Sequence, residues 1–526
     1  MLLLAVALLA QAPRLDIRET SFGSRRVGII AQTLTVSSAG HVAYITRAPG
    51  GEAVVLDGVL GKVYPSIPRS RLSEAGLTRS LVFSPDGQRL AYVAALAGTG
   101  PELLMSLVVD GVEGPRFARI PIGALSFSRD SRRVAYLADV ERKSVAVTDS
   151  TVSMPYDQIN VRAPEFTADG HVLYSARRDG RSVLVRDGRE VITADYVGDP
   201  VFSATGERMA VVVNRNDAWS VIVDGAEGPP YAHLGNNLVF SRDGRRFLYR
   251  AADSLDFVVV DRAPQPGWGG IEENSYDFSP DGQHVAFVAH SEGQERWVLD
   301  GRPQAAYDWV SSAPIFDSDG GLAYVAEREG KRLVVSAEQE GRAFDDIVTF
   351  PVLSGNGRRM LYVGKRGTRQ VLVADGVSAE FDQVQNAFFT PGSERLVVVA
   401  RRGPRWRAFI DADSSPPFAE PVGPFAESKD GEHLAFEASR GRKRVIVADG
   451  VESRLFDDVT DLSYTANGHL VYAAKRLGKY RLYEDGADSP PYDEIISPVV
   501  EREPDVLEFV ARRAGADVRV GVRLRK

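Results

Sequence analysis

The sequence contains no cysteine, which excludes disulfides, thiolate metal sites and cysteine nucleophiles together. It has no basic surplus: 63 Lys and Arg stand against 71 Asp and Glu, a net charge of −8, so no global field exists to hold nucleic acid. Long apolar runs are missing too. The longest, MLLLAVALLA at residues 1–10, falls well short of the roughly 20 residues needed to span a bilayer. Only five methionines occur against 49 glycines and 29 prolines, a turn-rich balance that favours short strands over long helices. Gly-x-Ser-x-Gly and Gly-rich phosphate loops are absent from the sequence, which removes the hydrolase elbow and the common nucleotide cradles.

What is present is a repeat. LVFSPDGQRLAYVA from Leu81 recurs as YDFSPDGQHVAFVA from Tyr276, LSFSRDSRRVAYLA from Leu125, LVFSRDGRRFLYRA from Leu238 and FAESKDGEHLAFEA from Phe425. Weaker copies begin near Leu34, Glu165, Val201, Ile315, Val352, Phe388, Leu462 and Val499. Anchored on the turn glycine, successive copies stand 36 to 47 residues apart and number thirteen. Each reads as four short strands. An apolar first strand enters an Asp-Gly hairpin, where glycine tolerates the positive φ. An aromatic-rich second strand follows, then a third closed by another Asp-Gly. A fourth begins with an aromatic at Tyr156, Tyr231, Tyr307, Phe344, Phe381, Phe456 or Tyr492. Hairpin-linked units of this length cannot bury their faces alone and must stack, as propeller blades do. The first strands are expected to be the most buried.

The expected architecture is therefore an all-β propeller of about thirteen four-stranded blades. Thirteen exceeds the usual blade number of one ring, so two rings are expected, six blades in 13–265 and seven in 266–526. The division is placed at the irregular junction where Asp261-Arg262 replaces Asp-Gly. Residues 57–80 read as a long loop of an early blade. The run Arg25-Arg26-Val27-Gly28-Ile29-Ile30 reads as an unmatched strand that could complete the last copy, which stops after its third strand. Residues 1–12 read as a signal peptide with Ala10-Gln11-Ala12 as its cleavage pattern, giving an exported, soluble, monomeric mature chain.

The Phe-Ser-Pro-Asp-Gly-x-x-Leu/Val-Ala-Tyr/Phe element, followed by a β-run ending in Asp-Gly, resembles the propeller repeats of the TolB family. The resemblance covers nearly all of the chain from Leu34 onward. It implies a propeller, a periplasmic location and a protein-binding platform. Residues 13–33 leave no room for the α/β domain that precedes the TolB propeller, and the copies are about twice as many, so membership of the Tol transport machinery is not implied.

No cofactor and no metal are expected. Of the seven histidines, His41, His171, His284, His433 and His469 follow the turn glycine and read as exposed polar turn positions; His233 and His290 lie elsewhere. Asp317/Asp319 and Asp411/Asp413 lack a full calcium ligand series and read as turns. The Asp-Gly aspartates Asp86, Asp243, Asp281, Asp319 and Asp430 read as caps of their own hairpins. The turn between second and third strands is basic in many copies. Arg366, Arg401, Arg402, Arg440 and Arg476 are the candidate rim for an anionic protein or envelope ligand. The function expected is a non-catalytic exported scaffold. The alternative is an enzyme with dispersed active-site residues in a central channel.

Overall fold

Every copy of the repeat closes as one antiparallel sheet. A computed structural model describes residues 15–24, 30, 33, 35–69, 80–96, 104–160, 163–392 and 394–524. Among these residues the chain is all-β, with thirteen sheets of propeller-blade type, in twelve of which the strands follow chain order. Leu81–Phe83, Leu90–Leu96, Leu104–Val109 and Val112–Phe117 make up one of them. In several blades the first strand is broken in two: Gln158–Ile159 and Glu165–Phe166 both pair with Val172–Arg178. The signal-peptide residues 1–12 lie outside the described residues.

The two hairpin turns of each blade differ in geometry. In the first, Gly87 alone has positive φ, and its N–H donates to the Ser84 carbonyl at 2.8 Å. In the second, both central residues are left-handed, as at Asp224 (φ 50°) and Gly225 (φ 80°), which matches the twist of tightly joined strands. Asp261-Arg262 keeps that geometry with φ of 48° and 74°. The irregular dipeptide therefore marks no change of architecture. One hydrophobic cluster runs straight across 265–266, joining Leu248, Val258 and Val260 to Ile271, Tyr276 and Phe287. Contacts divide the chain into two compact units. One is formed by Arg26–Phe316 with Gly320–Glu329, the other by Met1–Arg25, Asp317–Asp319 and Gly330–Lys526.

Burial is deepest in the second strand, not the first. All seven residues of Leu90–Leu96 are buried, whereas Leu125–Phe127 is only half-buried throughout. The cause is position in the sheet. The first strand is an edge with one neighbour, while the second is hydrogen-bonded on both sides and covered on both faces. The expected loop at 57–80 also needs correction, because Val59–Tyr64 is the fourth strand of the first blade and pairs with Gly51–Leu56. The recurrent aromatic ends the fourth strand instead of starting it, as Tyr64, Phe117 and Phe381 do.

That placement explains the motif. The closing aromatic meets the Tyr or Phe of the next blade's second strand edge-to-face: Tyr156 with Tyr174 at 6.0 Å, Tyr307 with Tyr324 at 6.2 Å, Phe418 with Phe436 at 6.4 Å, and Tyr492 with Phe509 at 5.6 Å. Each such pair contributes about 0.5–1.5 kcal/mol beyond the apolar area it buries.

The last blade is completed from the other end of the chain. Leu15–Ser24 pairs with Ala516–Leu524 from Leu15↔Leu524 to Ser24↔Ala516 and supplies the missing fourth strand. The clasp is therefore ten residues upstream of the run expected to form it. Leu15 and Ile17 pack on the cluster of Val518, Val520 and Val522. Glu19 accepts hydrogen bonds from the Tyr492 hydroxyl at 2.9 Å and from Arg513.

Candidate functional site

The repeat's polar residues close the turns first. Ser84 donates its hydroxyl to Asp86, whose carboxylate also accepts the Gln88 N–H at 3.0 Å, while the Arg89 N–H donates back to Ser84 Oγ. Asp130, Asp243, Asp281 and Asp430 repeat the arrangement with Ser128, Ser241, Ser279 and Ser428. The serine hydroxyl, then the backbone N–H, holds these carboxyls below their ordinary value. Asp317 caps the Asp319 N–H at 2.9 Å in the same spirit.

The five turn histidines are ligands of their own sheets. In four, Nδ1 lies 2.6–2.7 Å from the aspartate of the second turn: His41–Asp57, His284–Asp300, His433–Asp449 and His469–Asp485. His171–Asp187 is the fifth. The same aspartate accepts the N–H of the residue after the histidine: the Val285 N–H donates to Asp300 at 2.9 Å. The pairing with Asp449 holds the His433 imidazole above its ordinary pKa. Other blades use arginine at that position. Arg208 Nε donates to Asp224 at 2.8 Å and Arg246 Nε to Asp261 at 2.9 Å; Arg395–Asp411 assigns that aspartate to a turn as well. Arginine also reaches the next blade, since Arg246 donates to the carbonyls of Gly282 and Gln283 and stacks 5.1 Å from the Phe278 ring. These side chains are thus neither loose turn residues nor a metal set. Among the described residues no three His, Asp or Glu groups converge on a metal-sized point. The signal was in the sequence: histidine and aspartate stand sixteen residues apart in all five copies.

The candidate basic rim is largely engaged. Arg366 lies 5.7 Å from the Phe344 ring centroid, Arg402 4.5 Å from Phe381, and Arg440 4.2 Å from Phe418. Each of these rings closes the preceding blade, so the arginine holds it from one side while the second-strand aromatic holds two of the three, Phe344 and Phe418, from the other. Arg440 also pairs with Glu452 and donates to the Pro417 carbonyl at 2.9 Å. Arg401 is half-buried, 5.6 Å from the Trp406 ring, with its Nε buried and unpartnered. Arg476 is exposed. Aspartates interleave with them: Asp345 caps the Gly367 N–H and pairs with Lys331, and Asp382 caps Gly403 and pairs with Arg369.

A pocket of about 370 Å³ opens where the first strands of three consecutive blades end. Phe240, Phe278 and Phe316 each come from one blade and form its apolar wall. Pro280 and Pro314 flank it, and Arg242, Asp277 and Ser279 supply its polar groups. Loss of solvent around the Asp277 carboxyl holds it above its ordinary value, against the 2.7 Å hydrogen bond from the Phe278 N–H. The Ser279 hydroxyl is committed to Asp281, so Arg242 and Asp277 are the charged groups open to a ligand. Sequence reading missed this pocket, because the phenylalanines occupy a column that is apolar in many copies.

No family model matches the chain, and no curated protein matches it. Solved structures do match. The crystal structure of a eukaryotic initiation factor is 13% identical over 81% of this chain and 96% of its own, with a TM-score of 0.31. The β-propeller domain of the Trilobed protease from Pyrococcus furiosus is 12% identical over 49% of this chain and 94% of its own, with a TM-score of 0.25. TolB from Acinetobacter baumannii is 13% identical over 54% of this chain and 78% of its own, with a TM-score of 0.22. At these scores none carries an argument about activity or partner. Among the described residues no helix is long and apolar enough to cross a membrane.

Proposed function

We propose that the chain is a non-catalytic propeller scaffold, exported from the cytoplasm, that holds an apolar anchor group of a ligand or partner protein. The observation that carries this reading is the three-phenylalanine pocket, which is about the size of one side chain or small ring system and offers Arg242 and Asp277 to its polar end. The engagement of the repeat's His, Arg and Asp side chains in turns and blade contacts supports it. The leader-like run at 1–10 and the Ala10-Gln11-Ala12 pattern support export, with mature protein starting at Pro13.

The test uses the mature chain as bait in the soluble envelope fraction, beside an Arg242→Glu variant. Arg242 is exposed, so the substitution reverses the pocket's charge without touching the core. The expected result is a partner retained by the wild-type chain and lost from the variant, on bait whose N-terminus is Pro13. Equal recovery on both baits would refute the pocket. An intact Met1 on cytoplasmic material would refute export.

A further inference from the structure

Glu484 places a carboxylate in a column that is mostly apolar. It ends the strand Lys479–Glu484, one residue before the aspartate of the second turn. Leu56, Val109, Val223, Val260, Leu299, Ala374, Ile410 and Ala448 fill that place in eight other blades, and Thr148, Arg186 and Ser336 in three, so Glu484 is the acidic residue of the column. Its exposure is 0%, and neither carboxylate oxygen has a hydrogen-bond partner. A buried carboxylate in that state is strongly disfavoured relative to its protonated form.

The groups facing it make ionisation harder. From its own blade come Asp485 and His469, which are hydrogen-bonded to one another at 2.6 Å. From the last blade come Glu501 and Asp505. Glu501 accepts the N–H groups of Ala466 at 2.7 Å and Asp505 at 2.9 Å, and Asp505 accepts Asn467 Nδ2 at 2.6 Å. The turn of the last blade is therefore seated on the twelfth through these acidic side chains. His469, whose Nε2 lies 3.7 Å from Asp505, is the one basic side chain among them. Three carboxylates against one imidazole leave no room for a fourth charge.

We propose that Glu484 is a proton-operated latch between the twelfth blade and the last: protonated, it lets the 501–505 turn seat, and ionised, it pushes that turn away. The last blade is also the one that Leu15–Ser24 closes, so the latch acts on the place where the two ends of the chain are joined. Burial, with the three carboxylates adding to it and His469 opposing, raises the Glu484 carboxyl from 4.5 to about 7. The sign follows from the raised value. The contribution to stability is fully present below the unfolded pKa of 4.5 and is lost as pH rises through about 7.

Hydrogen exchange of the full mature chain tests this, read at the amides of Val500–Glu503 and Val506–Arg513 and corrected for intrinsic rates. Between about pH 6 and 8 protection should fall by roughly tenfold in the wild type. Glu484→Gln and Glu484→Leu should both remove that pH dependence; the leucine variant restores the column's usual chemistry. His469→Gln should keep the dependence and move its midpoint upward, because His469 is the group that opposes the rise of the Glu484 carboxyl. Unchanged dependence in Glu484→Gln, or its loss in His469→Gln, would overturn the latch. So would wild-type protection restored at pH 8 by calcium or magnesium chloride, which would make Glu484 a cation ligand instead.

Discussion

Replacing Gly364 by alanine should destabilise the ninth blade, although alanine stands at the same place in most other copies. Ala94, Ala138, Ala176, Ala289, Ala326, Ala438 and Ala474 occupy that second-strand position and are 0–2% exposed. At Gly364 the space is taken. A Cβ built there would sit 2.4 Å from Cγ of Phe344 and 2.5–2.7 Å from its two Cδ atoms. These are atoms at the root of the ring, and the Phe344 backbone is pinned to Arg332 by hydrogen bonds of 2.8 and 3.0 Å. Tyr362 meets the ring edge-on at 6.2 Å and Arg366 covers it, so it cannot swing clear without losing both.

Overpacking of this kind costs about 1–3 kcal/mol. Removing glycine's unfolded-state freedom returns roughly 0.4–1 kcal/mol, leaving a net loss of roughly 0.5–2 kcal/mol. Phe344→Ala alone should cost about 3–5 kcal/mol through its cavity. In the double variant the new methyl drops into that cavity, so the combined loss should fall short of the sum by about 1–3 kcal/mol. A chain of thirteen blades need not unfold in one step, so the readout is local. Hydrogen exchange at Met360–Arg366 and Lys331–Ser336 gives the opening free energy of this region directly. Gly364→Ala exchanging like the wild type would mean that the ring relocates freely, and additivity in the double variant would refute the packing argument.

Two further outcomes follow from the turns. Arg246→Ala removes the Asp261 pairing, two carbonyl caps on the next blade and the stack on Phe278, and should cost about 1–2 kcal/mol given its partial exposure. Faster exchange confined to the Gly282 turn and its strands is the expected pattern, and unaltered exchange there would reject the inter-blade role. Glu338→Gly should stabilise by about 0.5 kcal/mol, because Ala337-Glu338 holds the left-handed turn (φ 48° and 62°) without glycine, and relieved strain exceeds the entropy glycine adds. A lowered denaturation midpoint for Glu338→Gly would show that the turn carries no such strain.

The blades were legible because the repeat states its own turn chemistry thirteen times. Burial was misread because a continuous apolar run such as Leu81-Val82-Phe83 looks interior, yet edge position in the sheet leaves it half covered. The closing strand escaped notice for a related reason. As the outer strand of its blade, Leu15–Ser24 needs apolar residues only on the face that meets the sheet, and Leu15 and Ile17 suffice. Between them and beyond stand Asp16, Arg18, Glu19 and Thr20, polar residues that give the segment no strong strand signal. The more hydrophobic run at 25–30 drew the assignment instead. The His–Asp clasps were present as a fixed spacing, but spacing across two strands acquires meaning only once the register brings both ends to one turn. The basic rim poses the opposite problem. Arg366, Arg402 and Arg440 each cover the ring that closes the preceding blade, and recurrence alone cannot separate a lid from a docking surface.

That last point turns the usual reading of a repeat around. A residue that recurs in every copy is explained by what every copy must do, which is turn, cap and stack on a neighbour. Function specific to one place on the molecule has to enter where a copy departs from its column. Glu484 stands where most of its counterparts are apolar, and both its carboxylate oxygens are buried without a partner at the junction that joins the chain's ends. Gly364 departs because a ring already fills its methyl's place. The pocket departs more subtly, since its phenylalanines are consensus but Asp277 stands where Val82, Val201, Val239, Ile315 and Val352 are apolar. The two kinds of departure are separable by experiment. A structural exception is repaired by restoring the consensus residue together with its neighbour, as Gly364→Ala with Phe344→Ala should show, whereas a functional exception loses a measurable property when the consensus is restored alone.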